Sequence, residues 1–132
     1  MPLHVEVVSP ESVLYSGDGD MVVARTADGA IAFLPGHAPF IGALGIAKVR
    51  VILAEGEQAV AVHGGFVEVG NDKVIVLSDV AELPEQIDVA RAEEAKQRAQ
   101  AAIAANHEDP AAIDALARAE LRLEVAGAAS TA

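Results

Sequence analysis

The sequence predicts a β-sandwich followed by an antiparallel α-helical hairpin, and three observations carry that prediction. Residues 3 to 80 alternate short Val/Ile/Leu-rich runs with turn signals roughly every 8 to 12 residues, the spacing of an all-β sandwich or barrel. From Asp88 onward the texture becomes alanine-rich and helical. The helical pattern then breaks once, at Asn106-His107-Glu108-Asp109-Pro110, which divides it into two helices.

The expected strands are 3–8, 20–27, 30–34, 46–54, 58–63, 65–69 and 73–79. They are separated by Ser16-Gly17-Asp18-Gly19, Asp28-Gly29, Glu55-Gly56-Glu57 and Gly70-Asn71-Asp72, residues that tolerate turn dihedrals. In the first strand Leu3, Val5 and Val7 share one face and His4 and Glu6 the other, the pattern of a half-buried strand. Leu34-Pro35-Gly36-His37-Ala38-Pro39-Phe40 carries two prolines and a glycine and reads as a rigid, ordered loop. The paired glycines of His63-Gly64-Gly65-Phe66 predict a bulge or the close approach of another backbone.

In the first helix Val89, Ala92, Ala99 and Ile103 lie within an arc of about 80° and form the expected apolar stripe. Pro110 suits the first turn of the second helix, which is expected to run to about Ala126 and stop near Gly127. Its stripe is Ile113, Ala117, Leu121 and Val125. The organisation read from these signals is a sandwich at 1–81, a hinge at 82–87, a hairpin at 88–127 and a frayed tail at 128–132. Alanine-heavy stripes bury little area, so the hairpin's docking free energy is modest at about 25 cal/mol/Å², and the hairpin can exist in more than one arrangement.

Composition excludes several function classes. The 132 residues give room for one domain and an appendage, and no apolar run approaches the roughly 20 residues needed to span a bilayer. No cysteine is present, so there is neither a disulfide framework nor a thiolate metal site. The expected compartment is the cytoplasm, because Met1-Pro2-Leu3-His4 leads into strand-like sequence without a signal segment. A net charge of −11 opposes nonspecific nucleic-acid binding, which requires Lys and Arg to neutralise phosphates. No P-loop, activated nucleophile or convergent metal-ligand set stands out. His37 and His63 alone make thin evidence for a metal, and no catalytic residue is assigned.

Three segments, Leu34-Pro35-Gly36-His37-Ala38-Pro39, Gly64-Gly65-Phe66-Val67-Glu68-Val69 and Ile87-Asp88-x-x-Arg91-Ala92 ahead of a helical hairpin, resemble in that order the epsilon subunit of the bacterial rotary F-type ATP synthase, the counterpart of the mitochondrial delta subunit. The resemblance runs from Val5 to about Ala126. It implies a non-catalytic subunit of the central stalk, peripheral to the cytoplasmic face of the plasma membrane and monomeric in isolation. The sandwich would touch gamma and the c-ring. The hairpin would fold against the sandwich or extend along gamma into the alpha/beta hexamer and inhibit ATP hydrolysis. In some members the folded hairpin binds ATP as a regulatory ligand. The matching positions are Glu82, Ile87, Asp88, Arg91, Ala92, Arg98, Arg118 and Arg122. One departure is Ala30 after Gly29, where the family often carries a glutamate associated with the c-ring.

The residue types fit such a ligand independently. Asp88, Arg91 and Arg98 fall within about 80° of each other on a helical projection, and Arg118 and Arg122 are one turn apart. Guanidinium forks bind phosphate oxygens bidentately, and a carboxylate such as Glu82 or Asp88 accepts from an adenine amino group or a ribose hydroxyl. Several such bonds, less the cost of ordering a hairpin, imply micromolar to millimolar affinity. The plainer alternatives are that Asp88 is a helix N-cap and that the arginines form a solvated face paired with Glu94, Glu120 or Glu124. Two other readings of the whole chain are a metal-dependent small-barrel enzyme and a free-standing adaptor with a helical tail.

Overall fold

A computed structural model describes the backbone of residues 2–130 and the side chains of residues 2–127. The chain divides into two compact units, Met1–Leu83 and Pro84–Ala132.

The first unit holds β1 (Leu3–Val8), β2 (Val13–Gly19), β3 (Met21–Thr26), β4 (Gly29–Phe33), β5 (Phe40–Leu53), β6 (Gly56–Gly70), β7 (Lys73–Leu77) and β8 (Ala81–Glu82). They form one sheet in the order β2-β1-β7-β6-β5-β3-β4, with β8 also paired to β6. The β1–β7 pair is parallel and the others are antiparallel. The sheet turns over on itself to make the sandwich. β5 and β6, 14 and 15 residues long, serve both layers. Residues 40–44 of β5 pair with 65–69 of β6, which continue into β7 and β1, whereas β3 pairs with residues 50–52 of β5 and, past an irregularity, with Leu44. The Asp20 N–H donates to the Ile52 carbonyl at 2.8 Å and brings the end of β2 back onto β5.

The core between the layers is valine-rich. Leu3, Val5, Val7, Val22, Val49, Val51, Val60, Val62, Val67, Val74 and Val76 are buried around Phe33, the largest fully enclosed side chain. β-Branched side chains have few rotamers to lose and pack well on a pleated surface, which suits them to this position. Leu3, Val5 and Val7 point inward and His4 and Glu6 outward, as the alternation predicted.

Three differences from the sequence reading have physical causes. Residues 13–19 are a strand rather than a turn, because β1 supplies a full partner down to Leu3↔Gly19. Gly19 is needed there, since a Cβ would lie 2.8 Å from Val51 Cγ1. β5 begins at Phe40 rather than 46, and Gly42 leaves room for the Phe40 ring, 2.7 Å from where its Cβ would stand. β6 continues through Gly64-Gly65 instead of stopping at His63. The close approach predicted there is present: Gly65 has φ +134°, and a Cβ on it would collide with the Leu77 carbonyl oxygen.

The loop at 34–39 is ordered by specific bonds. The His37 N–H donates to the Leu34 carbonyl at 3.0 Å, and Gly36 at φ +84° takes the position of a type II turn that glycine favours. The His37 ring stands edge-on to Phe33, with centroids 5.1 Å apart.

In the second unit a 3-10 turn, Pro84–Gln86, leads to α1 (Val89–Ala105) and α2 (Pro110–Ser130). Asn106 closes α1 by donating its N–H to Ala102, and Asp109 Oδ1 accepts from the N–H groups of Ala111 and Ala112 at the start of α2. Pro110 sits in the first turn, where its missing N–H costs nothing. The expected stop near Gly127 is overturned, because the helix continues to Ser130. Gly127 is not among the positive-φ glycines, so it does not cap, and a glycine inside a helix costs only about 1 kcal/mol against alanine. Residues 131 and 132 of the expected frayed tail lie outside the described residues. The buried residues of the helices are Ala92, Ala99, Ala112, Ala119, Leu121 and Val125, whereas Val89 and Ile113, expected in the stripes, are exposed.

Candidate functional site

Ile87-Asp88-x-x-Arg91-Ala92 is the start of α1. Asp88 has extended φ/ψ and its Oδ1 accepts from the Arg91 N–H at 3.1 Å, so it is the N-cap. Ile87 before the cap and Ala92 at the fourth helical position are both buried, at the two places a hydrophobic staple occupies. Helix-start architecture therefore accounts for Ile87, for one oxygen of Asp88 and for Ala92. It does not account for the arginine side chains.

Arg91 and Arg98 are exposed and lie seven residues apart on α1, along one line of that helix. Arg118 and Arg122 are half-buried and one turn apart on α2. Among the described residues Arg91, Arg98 and Arg118 form no ion pair. Glu82 belongs to the first unit, at the end of β8, where its Oε1 lies 2.9 Å from His63 Nε2.

A second feature escaped the sequence reading. Val13↔Val8, Val8↔Leu77, Leu77↔Phe66 and Phe66↔Ala43 are register partners, so five apolar residues form a straight row across β2, β1, β7, β6 and β5. Val13, Leu77, Phe66 and Ala43 are exposed, and Ile41 near them is 73% exposed. Beside the row lies an open groove of about 320 Å³ lined by Val8, Pro10, Phe66 and Leu77. The next outward row is mixed, Ser16–Glu6–Ile75–Glu68–Ile41, and beyond it His4 stands between Asp18 and Lys73. The face thus grades from apolar to charged. A contiguous exposed apolar patch with a polar rim marks an interaction surface. The signal was the coincidence of apolar residues at outward positions of several strands, which shows only once the register is known.

Among the described residues no group of three or more His, Asp or Glu side chains could hold a metal ion, and no helix is long and apolar enough to cross a membrane.

Comparison with known proteins gives the same class as the architecture. The family described as ATP synthase, Delta/Epsilon chain, beta-sandwich domain matches residues 2–84. The ATP synthase epsilon chain of Halalkalibacterium halodurans is 45% identical over 129 residues, covering 95% of this chain and 97% of the relative. That of Brevibacillus brevis is 50% identical over 100 residues, covering 74% of this chain and 75% of the relative. Among solved structures, a chain of the Euglena gracilis mitochondrial ATP synthase (OSCP/F1/c-ring) matches with TM-score 0.70 at 20% identity, covering 99% of this chain and 82% of that one. A chain of the Tetrahymena thermophila central stalk and c-ring matches with TM-score 0.56 at 11% identity, covering 98% and 97%. The chain belongs to the ATP synthase delta/epsilon chain family.

Proposed function

We propose that the chain is the non-catalytic epsilon subunit of an F-type ATP synthase, peripheral to the membrane through that complex. The observation that carries this reading is the 45% identity to an epsilon chain across nearly the whole of both sequences, hairpin included. In this reading the apolar row through Phe66 and Leu77 docks on gamma and the charged end of the sandwich faces the c-ring. The hairpin inhibits ATP hydrolysis when extended into the alpha/beta hexamer and binds ATP when folded, through Arg91, Arg98, Arg118 and Arg122. Three guanidinium groups without an ion pair among the described residues support a polyanionic ligand. A ligand at about 100 times its dissociation constant stabilises the bound form by about 2.7 kcal/mol, enough to move a nearly balanced two-state hairpin.

A second reading, the same subunit without ATP binding, has its own observation: the Ile-Asp-x-x-Arg-Ala motif is explained at Ile87, Asp88 and Ala92 by helix initiation. Calorimetric titration of the chain with ATP and ADP, repeated on Arg98→Ala and Arg122→Ala, separates the two. Saturable binding that favours ATP and weakens about tenfold in the variants supports the nucleotide site. Absence of heat to several millimolar leaves the stalk subunit alone. Capture of the chain by purified gamma, lost in Phe66→Asp, tests the stalk assignment itself.

A further inference from the structure

Glu82 is the last strand residue before the chain leaves the first unit, and little backbone holds it. β8 is two residues long and pairs β6 through Ala61↔Glu82 and Val62↔Ala81. One step further along β6, the His63 N–H donates to the Val80 carbonyl at 3.0 Å and its Nε2 lies 2.9 Å from Glu82 Oε1. The His63 side chain is 3% exposed and that of Glu82 23%. This is where β6 changes partner from β8 to β7. His63 therefore engages the incoming strand twice, once with its backbone and once with its ring.

The charged surroundings are defined by register. On β5, Lys48 is opposite Ala61, which is itself opposite Glu82, so Lys48 and Glu82 flank Ala61 on one face. Arg50, two residues on, is engaged by Glu57, and Ile46 opposite His63 is apolar. A part-buried carboxylate needs a donor, and the His63 ring is placed to supply one through Nε2.

We infer that His63 is the positioning residue of Glu82: the pair aims the carboxylate and latches β8 to the sandwich, and so holds the chain's exit from the first unit. The latch stands on the first unit alone.

The test uses the full chain without nucleotide. Amide exchange of residues 81–83 is measured by NMR at neutral pH in wild type, His63→Ala, His63→Gln and Glu82→Gln, with Val67 and Val74 as core references. The expected result is about tenfold lower protection of 81–83 in His63→Ala, recovered mostly in His63→Gln, whose amide N–H can donate. Glu82→Gln, which exchanges the charged acceptor for a neutral one, lowers protection by less than His63→Ala. Equal protection in all four proteins overturns the latch. If His63→Ala does not fold, protection in Glu82→Gln against wild type still decides it.

Discussion

Asp72 Oδ1 accepts a 2.6 Å hydrogen bond from the backbone N–H of Gly36, joining the tight turn between β6 and β7 to the Pro-Gly-His loop. Asn71 and Asp72 both have positive φ, 52° and 56°, as a two-residue type I′ hairpin turn requires. Asp72 thus meets a backbone demand of its own turn and orders a loop distant in sequence. Asp72→Ala should cost about 1–2 kcal/mol, combining a lost hydrogen bond with the poor fit of alanine to positive φ. Asp72→Asn, which keeps both the oxygen and the tolerance, should cost less. Denaturant unfolding checks the order, and faster exchange of the Gly36 amide checks the cause.

Gly65 and Gly29, both with large positive φ but in different surroundings, make a controlled comparison. At Gly65 (φ +134°) an added Cβ meets the Leu77 carbonyl oxygen and lies 3.0 Å from Ser78 Cα, whereas at Gly29 (φ +116°) it meets nothing within 4 Å. Gly65→Ala is expected to destabilise by about 3 kcal/mol or more, and Gly29→Ala by about 1–2 kcal/mol from backbone strain alone. Equal effects in thermal unfolding would refute the role of the β6–β7 contact.

Asp88 offers a separation of capping from ligand binding. Asp88→Ala should destabilise the hairpin by about 1 kcal/mol, and Asp88→Ser, which still caps, by much less. The check is helix content and exchange in α1, with Val67 and Val74 unaffected. If ATP affinity follows the capping series, Asp88 acts through the helix. If it falls equally in Asp88→Ser, the carboxylate touches the ligand.

Arg50 on β5 reaches diagonally to Glu57 on β6, with Nε 2.7 Å from Oε2. The hydrogen bond from Arg50 holds the Glu57 carboxyl below its usual range. A carboxyl with a lower pKa in the folded state binds fewer protons there than in the unfolded chain, so the pair stabilises above the unfolded value near about 4.3 and loses its contribution as pH falls through the folded value. Both side chains are more than a third exposed, 37% and 41%, so the contribution is below about 1 kcal/mol. Arg50→Ala should flatten the acid limb of the stability curve slightly and shift the Glu57 titration upward by NMR.

The fold was legible where period and punctuation agreed. Leu3-Val5-Val7 alternates cleanly, and Asn106 to Pro110 marks the helix break by both a cap and a proline. It was illegible where partners overrode local signals. Gly17 and Gly19 read as a turn, yet their lack of a side chain suits a crowded strand: a Cβ at Gly17 would lie 3.2 Å from Tyr15 Oη. Ala92, Ala99, Leu121 and Val125 of the expected stripes are buried, whereas Val89 and Ile113 are exposed and Ala112 and Ala119, outside the expected stripe, are buried. At the candidate site the cap at Asp88 was readable from sequence. The engagement of Glu82 by His63 was not, because it depends on β8 pairing nineteen residues back along the chain.

The length of β5 and β6 also bears on how the first unit carries mechanical load. Thirteen register pairs join the two strands through both layers. Their hydrogen bonds lie across the strand direction, so a pull along the strands must shear many of them together. β8, with two pairs, can instead be peeled one residue at a time. Under tension applied through the chain at Leu83, yielding would begin at the exit strand and leave the remainder of the sandwich taut, so the joint between the units acts as a mechanical fuse.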